Sequence, residues 1–289
     1  MIASIKNLLN YSLRGIFAFV RKTRAGSWAS DIFFEQAMND FLSVEHNGYV
    51  MRFLLPNRLC RFRAESFSSK EPETLEWIDA ISRGAVLWDI GANVGLYTIY
   101  AAKARNCEVY AFEPSVFNLE VLARNIFING CAKAGDTEMG RAVIVPIALS
   151  NRTSPNNLKL SATEWGGALS TFGENKGWDG QPIVETFEYG TIGIRMDDLN
   201  RSMAIPTPDF IKIDVDGIEH LILSGGEEVL SAVKGVLIEV NDAFEEQATQ
   251  CAALLSKAGL VLRDKRQSDM IAVSNVGFQN VFNQIWVRE

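Results

Sequence analysis

The sequence predicts an α/β protein built on a mostly parallel sheet with helices on both faces. From Ala85 onward, short apolar runs alternate with helical segments, the order that gives parallel strands joined by right-handed crossovers. Those runs, such as Val86-Leu87-Trp88 and Val236-Leu237-Ile238, are apolar at consecutive positions, which suits strands covered on both faces. Between the first of them and the next helix lies Asp89-Ile90-Gly91-Ala92-Asn93-Val94-Gly95. An acid ends the strand, one glycine permits a sharp turn, and a second lets the helix start close to strand and ligand.

The elements follow in order. Residues 1 to about 45 read as helical, with a break near Gly26–Ser30. Ile2, Ile5, Leu9, Leu13, Ile16, Phe17 and Val20 recur at helical spacing, with Lys6, Asn10 and Arg14 off the stripe. The charges interrupt any signal-peptide core. Two readings of this amphipathic stretch stand: it packs on its own domain or on a second subunit of a homo-oligomer, or residues 1–24 make peripheral contact with a membrane, basic from Arg14 to Arg24. Gly48–Leu55 and Leu59–Phe62 read as strands paired across Pro56-Asn57. Glu71-Pro72-Glu73-Thr74 opens a helix through Ile81, since acids and proline suit a helix N-terminus. Then come strand Val86–Trp88, helix Leu96–Ala104, strand Val109–Phe112, helix Asn118–Ile128 and strand Val143–Ala148. A glycine-rich insertion at about 150–196 follows, with strand candidates Val184–Phe187 and Thr191–Arg195; it reads equally as a substrate lid or a plain hairpin excursion. Strand Phe210–Ile213, helix Leu221–Leu230, strand Val236–Val240, helix Glu245–Ala258 and strands Leu260–Leu262 and Val281–Val287 complete the chain.

The bulk composition narrows the function. The 289 residues, 47% hydrophobic, suffice for one large domain or one domain with appendages. A net charge of −7 without a Lys/Arg block disfavours a nucleic-acid partner. Cys60, Cys107, Cys131 and Cys251 are scattered, and the two histidines are His46 and His220, so a Cys/His zinc site is not expected. Scattered cysteines in an enzyme of this size point to a reducing, cytoplasmic compartment. No apolar stretch is long enough to span a bilayer.

The spacing Gly91-x-x-x-Gly95 differs from the G-x-G-x-x-G that brings a pyrophosphate to a helix N-terminus. S-adenosylmethionine has no phosphate; it carries a sulfonium, an ammonium and a carboxylate. Asp89 would help hold the cationic end, with Gly91, Ala92, Asn93, Gly95 and Tyr97 contacting the cofactor through loop and helix start. Glu113, ending the second sheet strand, would accept both ribose hydroxyls. Pro114 and Ser115 would lie beside the adenine, and Leu149 with Ala148 and Ser150 would cover its other face.

Beyond these readings, the sequence resembles the FkbM-type methyltransferases. The resemblance is carried by Glu71–Thr74, Asp89–Thr98, Phe112-Glu113-Pro114, Asn125, Ile211–Glu219 (IKIDVDGIE) and Asn283–Arg288. It covers about Gly48 to the C-terminus, departing at Asp216, where the family more often has Glu, and at His220. It implies a class I methyltransferase (Rossmann-like) three-layer sandwich, whose seven-stranded, mostly parallel sheet has an antiparallel last strand. The expected division is an N-terminal helical extension over 1–45 and a methyltransferase domain over 46–289. It also implies S-adenosylmethionine as donor and a hydroxyl of a sugar, polyketide, lipid-linked or other small molecule as acceptor.

An aliphatic hydroxyl needs a base or a cation to become a nucleophile. Lys212 and Asp214 lie two apart on one strand and so share a face. Asp216 and Glu219 follow in the next turn, and Glu239, Asn241 and Asp242 end the neighbouring strand. Three readings stand. Asp214 or Asp216 is the general base, supported by Lys212. Alternatively Asp214, Asp216 or Glu239, with Asn241, bind a divalent cation such as Mg2+. In the third, Lys212 only neutralises its neighbours. Asp214 also borders the cofactor crevice. His220 has a suitable pKa for a base but sits where a helix would turn it away. Two other functions compete with methyl transfer: an NAD-dependent oxidoreductase, and a non-catalytic cofactor-binding or membrane-recruitment module.

Overall fold

A computed structural model describes residues 15–132, 140–267 and 277–289; residues 2–13 of the N-terminal stripe lie outside them. Helix α1 (Arg24–Met38) is capped by Thr23, whose hydroxyl oxygen accepts from the Gly26 amide. The expected break at Gly26–Ser30 lies instead at 21–23. Gly26 sits at that crossing, where a Cβ would lie 2.0 Å from the Val20 carbonyl oxygen. Ile16, Phe17, Phe19, Val20, Trp28, Phe33 and Phe34 are exposed. Among the described residues no helix is long and apolar enough to cross a membrane.

The helix does not continue to residue 45. Phe41–His46 is strand β1, paired antiparallel with β2 (Tyr49–Leu54). The turn is Asn47-Gly48, both at positive φ (48° and 79°), as a two-residue hairpin requires. The hairpin expected across Pro56-Asn57 is absent for a related reason: the Asn57 side chain caps a helix there, accepting from the Cys60 amide at 2.8 Å. Leu59–Phe62 therefore lies in α2 (Arg58–Glu65). A short turn, α3 (Phe67–Lys70), leads into α4 (Pro72–Ala80), with proline in its first turn as expected.

The alternating pattern from Ala85 is borne out. Strand β3 (Val86–Ile90), helix α5 (Leu96–Arg105), strand β4 (Glu108–Phe112), helix α6 (Val116–Ile128) and strand β5 (Arg141–Val145) follow in turn. The single strand expected over Val143–Ala148 divides at Pro146, which has no amide to donate. Ala148-Leu149 becomes β6 and pairs with another sheet. That sheet is the insertion: β7 (Ser154–Leu160), β8 (Ser170–Phe172) and β9 (Phe187–Ile194) join β6 in the order β6-β9-β7-β8. Thus β9 is one continuous strand rather than two fragments, and the Val184 end of the first candidate lies outside it.

Helix α7 (Met196–Met203) returns the chain to strand β10 (Phe210–Ile213). The helix expected over Leu221–Leu230 is two, α8 (Glu219–Ser224) and α9 (Glu227–Ala232). Between them a Cβ on Gly225 would sit 2.4 Å from the Ser150 carbonyl oxygen, and one on Gly226 would sit 2.1 Å from Met196. Strand β11 (Gly235–Asn241), helix α10 (Glu245–Lys257), strand β12 (Leu260–Arg266) and strand β13 (Val281–Arg288) complete the fold.

The main sheet has seven strands in the order β12-β13-β11-β10-β3-β4-β5. The last strand, β13, is antiparallel to both neighbours. This is the class I methyltransferase fold. Period-two alternation sends Trp88, Ile90, Ile211 and Ile213 to one face, packed with Ile222, Leu223 and Leu255. Leu87, Val109, Ala111 and Leu237 face the other way, against Ile78, Ile99 and Leu122. Asp89 and Lys212 are register partners on this second face. Burial of both faces leaves the carboxyl ends of the strands as the place where polar groups can meet a ligand.

Candidate active site

The loop after β3 is held by backbone contacts that only glycine permits. Gly91 has φ +83°, and a Cβ there would lie 1.9 Å from the Asp214 carbonyl oxygen. The Gly91 and Ala92 amides both donate to the Phe112 carbonyl, each at 3.0 Å, which pins the loop to the end of β4. Asn93 takes a left-handed conformation (φ +50°) and directs its amide to Glu113 Oε2 at 2.8 Å. Gly95, at φ +86°, opens α5 where a Cβ would be 2.5 Å from Leu122.

Glu113 Oε1 accepts from the Ser115 amide at 2.7 Å. Burial pushes its carboxyl up to about 7, against the pull of the Ser115 and Asn93 amides. A cleft of about 560 Å³ opens beside it, walled by Pro114, Ile147, Leu149 and Phe172. A larger cleft of about 1280 Å³ lies beyond the loop, lined by Phe67, Tyr97, Lys212 and Glu239 among others. Both clefts are lined by Gly91, Asn93, Ala168, Asp214 and Asp216, so they meet there.

The larger cleft is a nest of charges. Lys212, 2% exposed, reaches Asp214 at 3.2 Å and Asp89 at 3.7 Å and lies 5.3 Å from the Tyr97 ring centre. Burial opposes its charge, but Asp214, Asp89 and Glu71 together raise its pKa and keep it an ammonium. Glu71 pairs with Lys70 and accepts from the Tyr97 hydroxyl at 3.0 Å. Burial alone would raise the Glu71 carboxyl; Lys70, Lys212 and the hydrogen bonds outweigh it and hold it at about 2. Glu239 is pushed well up by burial and by the Asp214 and Glu71 charges.

Asp216 stands at the junction of the clefts with φ +63°, a conformation a non-glycine residue adopts at a cost of about 1–3 kcal/mol. Its Oδ2 accepts from the Leu169 amide at 2.7 Å. Burial and the neighbouring Asp214 raise its pKa to about 6, while the Leu169 amide and the Arg63 and Lys70 charges pull the other way. Glu219 anchors the turn that presents it, accepting from the Val215 and Gly217 amides and from Gln247.

The insertion reaches over this junction as a strap. Asn118 holds both ends of Gly166-Gly167, accepting from the Gly166 amide at 3.0 Å and donating to the Gly167 carbonyl at 3.1 Å. Asn93 Nδ2 donates to the same carbonyl at 2.8 Å. Arg63 Nε donates to the Gly166 carbonyl at 2.8 Å.

The sequence pattern of the Methyltransferase FkbM domain matches residues 89–264. The chain belongs to this family. Over 225 residues it is 22% identical to the hexuronic acid methyltransferase AglP of Haloferax volcanii, covering 78% of this chain and 83% of that protein. Over 176 residues it is 25% identical to the 31-O-demethyl-FK506 methyltransferase FkbM of Streptomyces tacrolimicus, covering 55% and 66%. The crystal structure of a methyltransferase FkbM from Methylobacillus flagellatus aligns at 15% identity and TM-score 0.44, covering 72% of this chain and 44% of that one.

For a methyltransferase of the FkbM family the fold implies S-adenosylmethionine, and the residues fit it. The Glu113 carboxyl lines the smaller cleft with one backbone amide on each oxygen, an acceptor that suits ribose hydroxyls. Ile147, Leu149 and Phe172 offer apolar walls for a base, and Asn93 Oδ1 is buried without a partner. Asp214, Asp216 and Glu71 line the side where cationic groups would lie.

Four residues expected at the cofactor fall elsewhere. Asp89, Gly95, Ser115 and Ser150 are buried and line neither cleft; Asp89 accepts from the Thr98 hydroxyl and lies near Lys212, and Gly95 packs against Leu122 where the helix starts. The cation-binding set does not assemble: among the described residues no three His, Cys, Asp or Glu side chains are grouped to hold a metal. Asn241 instead ties the Trp178 carbonyl and the Ala243 amide to the end of β11. His220 lines neither cleft, meets Phe244 edge-on, and has its pKa lowered by burial. Sequence reasoning missed Lys70 and Arg63 as cleft residues, and Asn118 as a latch. The helical face of Leu59, Phe62 and Arg63 was the available signal, hidden by the strand expected there.

Proposed function

We propose that the chain is an S-adenosylmethionine-dependent O-methyltransferase acting on a hydroxyl of a carbohydrate-like or other small acceptor. The observation that carries the reading is the meeting of two clefts at Asp216. One cleft has the Glu113 carboxylate and apolar walls that suit a nucleoside; the other is larger and suits an acceptor. S-adenosylmethionine, when bound, supplies a methyl group on a positively charged sulfur, open to in-line displacement by the acceptor oxygen.

In this reading Asp216 takes the hydroxyl proton. Among the described residues it has no ion-pair partner, and a carboxyl near 6 is ionised at neutral pH yet still basic enough to accept a proton. Asp214, held beside the Lys212 ammonium, serves as an anion for the cofactor's cationic end. Lys212 balances that local charge while Asp216 cycles. The strap excludes water from the junction and holds Asp216 through the Leu169 amide. The two named relatives, one acting on a hexuronic acid and one at an oxygen, support a sugar or small-molecule acceptor. Calorimetry with S-adenosylhomocysteine and with NADH tests the donor: binding of NADH alone would sink the proposal.

A further inference from the structure

Helix α2 turns one face toward the larger cleft. Leu59, Phe62 and Arg63 occupy positions i, i+3 and i+4, which lie together on a helix, and all three line that cleft. Phe62 leaves half of its surface exposed. Arg63 is fixed along one edge, because its Nε donates to the Gly166 carbonyl. Its two terminal nitrogens have no hydrogen-bond or ion-pair partner among the described residues.

The other cations of this cleft are matched. Lys70 pairs with Glu71, and Lys212 with Asp214 and Asp89. Among the described residues of this cleft, Arg63 alone presents a positioned guanidinium fork without a paired anion. Asp216 lines the same cleft, and among the described residues no ion pair or hydrogen bond joins it to Arg63. A guanidinium fork matches the two oxygens of a carboxylate or phosphate, a geometry that lysine does not reproduce. An exposed ring such as Phe62 offers a platform for the apolar face of a ring-shaped molecule.

We propose that Arg63 is an acceptor-specificity residue: it binds a carboxylate or phosphate of the acceptor, which rests on Phe62 and turns its hydroxyl toward Asp216. The assignment rests on the methyltransferase reading of the two clefts. Calorimetry on the full chain tests it. S-adenosylhomocysteine is titrated first; no binding would overturn the underlying functional reading, and the assignment with it. The loaded protein is then titrated with glucuronate, glucose 6-phosphate and neutral glucose. Losing a charge-assisted bidentate contact costs about ten-fold or more in affinity, so at least one anion should bind about ten-fold tighter than glucose. Arg63→Gln should abolish that preference, and Arg63→Lys should restore only part of it, with S-adenosylhomocysteine affinity unchanged in both. Equal binding of all three sugars, or no binding of any, overturns the assignment. So does a ten-fold loss of S-adenosylhomocysteine affinity in Arg63→Gln, which would place the fork on the cofactor's own carboxylate.

Discussion

The two clefts meet at Asp216 but are assembled in different ways. The smaller cleft, which we propose for the nucleoside, takes Gly91 and Asn93 from the loop after β3 and Glu113 from the end of β4, which pairs with it, and is closed by Asn118, the insertion and the end of β10. Its geometry is backbone geometry, set by positive φ at Gly91, Asn93 and Gly95. The larger cleft, proposed for the acceptor, shares the loop after β3, the insertion and the end of β10, and adds the start of α5, α2, α3, β11 and Phe278. Its geometry is one of side chains, held by charge pairing and by the strap. A cleft made of turns can be carried by a short motif, whereas one made of distant side chains can change its ligand by changing a few of them.

Four substitutions probe that contrast, from the largest expected effect to the smallest. Asp216→Asn should lower single-turnover methyl transfer by on the order of 10³-fold, the range for loss of a general base, with little change in S-adenosylhomocysteine affinity by calorimetry. Because the base acts when ionised, the native rate should rise with pH through about 6 and level off above it; the variant should lack this limb. Equal losses of turnover and affinity would move Asp216 to the nucleoside side.

Gly91→Ala tests the backbone half. Its Cβ would meet the Asp214 carbonyl oxygen at 1.9 Å, and left-handed strain adds to the overlap, so unfolding by urea should show a loss of about 3 kcal/mol. A stable variant would mean the β3 and β10 loops can part. Glu113→Ala should weaken S-adenosylhomocysteine binding by about 2 kcal/mol and free the Asn93 and Ser115 amides. Unchanged affinity would remove Glu113 from the nucleoside site. Asn118→Ala loosens the strap at two contacts and should cost about 1 kcal/mol in stability. Asn118 also lines the smaller cleft, so a raised acceptor KM with unchanged S-adenosylhomocysteine affinity would confine the strap to the larger cleft, and a loss of that affinity would extend its role to the smaller one.

The same contrast explains what could be read before the fold was known. The strand–loop–helix at Val86–Arg105 was legible, because the glycine spacing and apolar runs are local. The placing of Lys212 and Asp214 on one face was also legible, from strand periodicity alone. The errors arose where local signals competed. Asn47-Gly48 and Pro56-Asn57 both carry turn-forming residues, yet only the first makes a hairpin, because the Asn57 side chain caps a helix. That exchange hid α2 and with it Arg63. Asp89 was expected at the ligand because it ends a strand motif; packing buried it beneath Lys212 and Thr98.

The order of residues alone settled the alternating α/β architecture, the turn at Gly91–Gly95 and the acid at Glu113. Each depends on backbone preferences or periodicities within a few residues of one another. The tertiary structure alone decided that residues as far apart as Arg63, Glu71, Leu169, Asp216 and Glu239 share one cleft. Desolvation and mutual charge act there across segments remote in the chain, and it is those fields that leave Asp216 near 6, hold Glu71 near 2 and keep Lys212 charged.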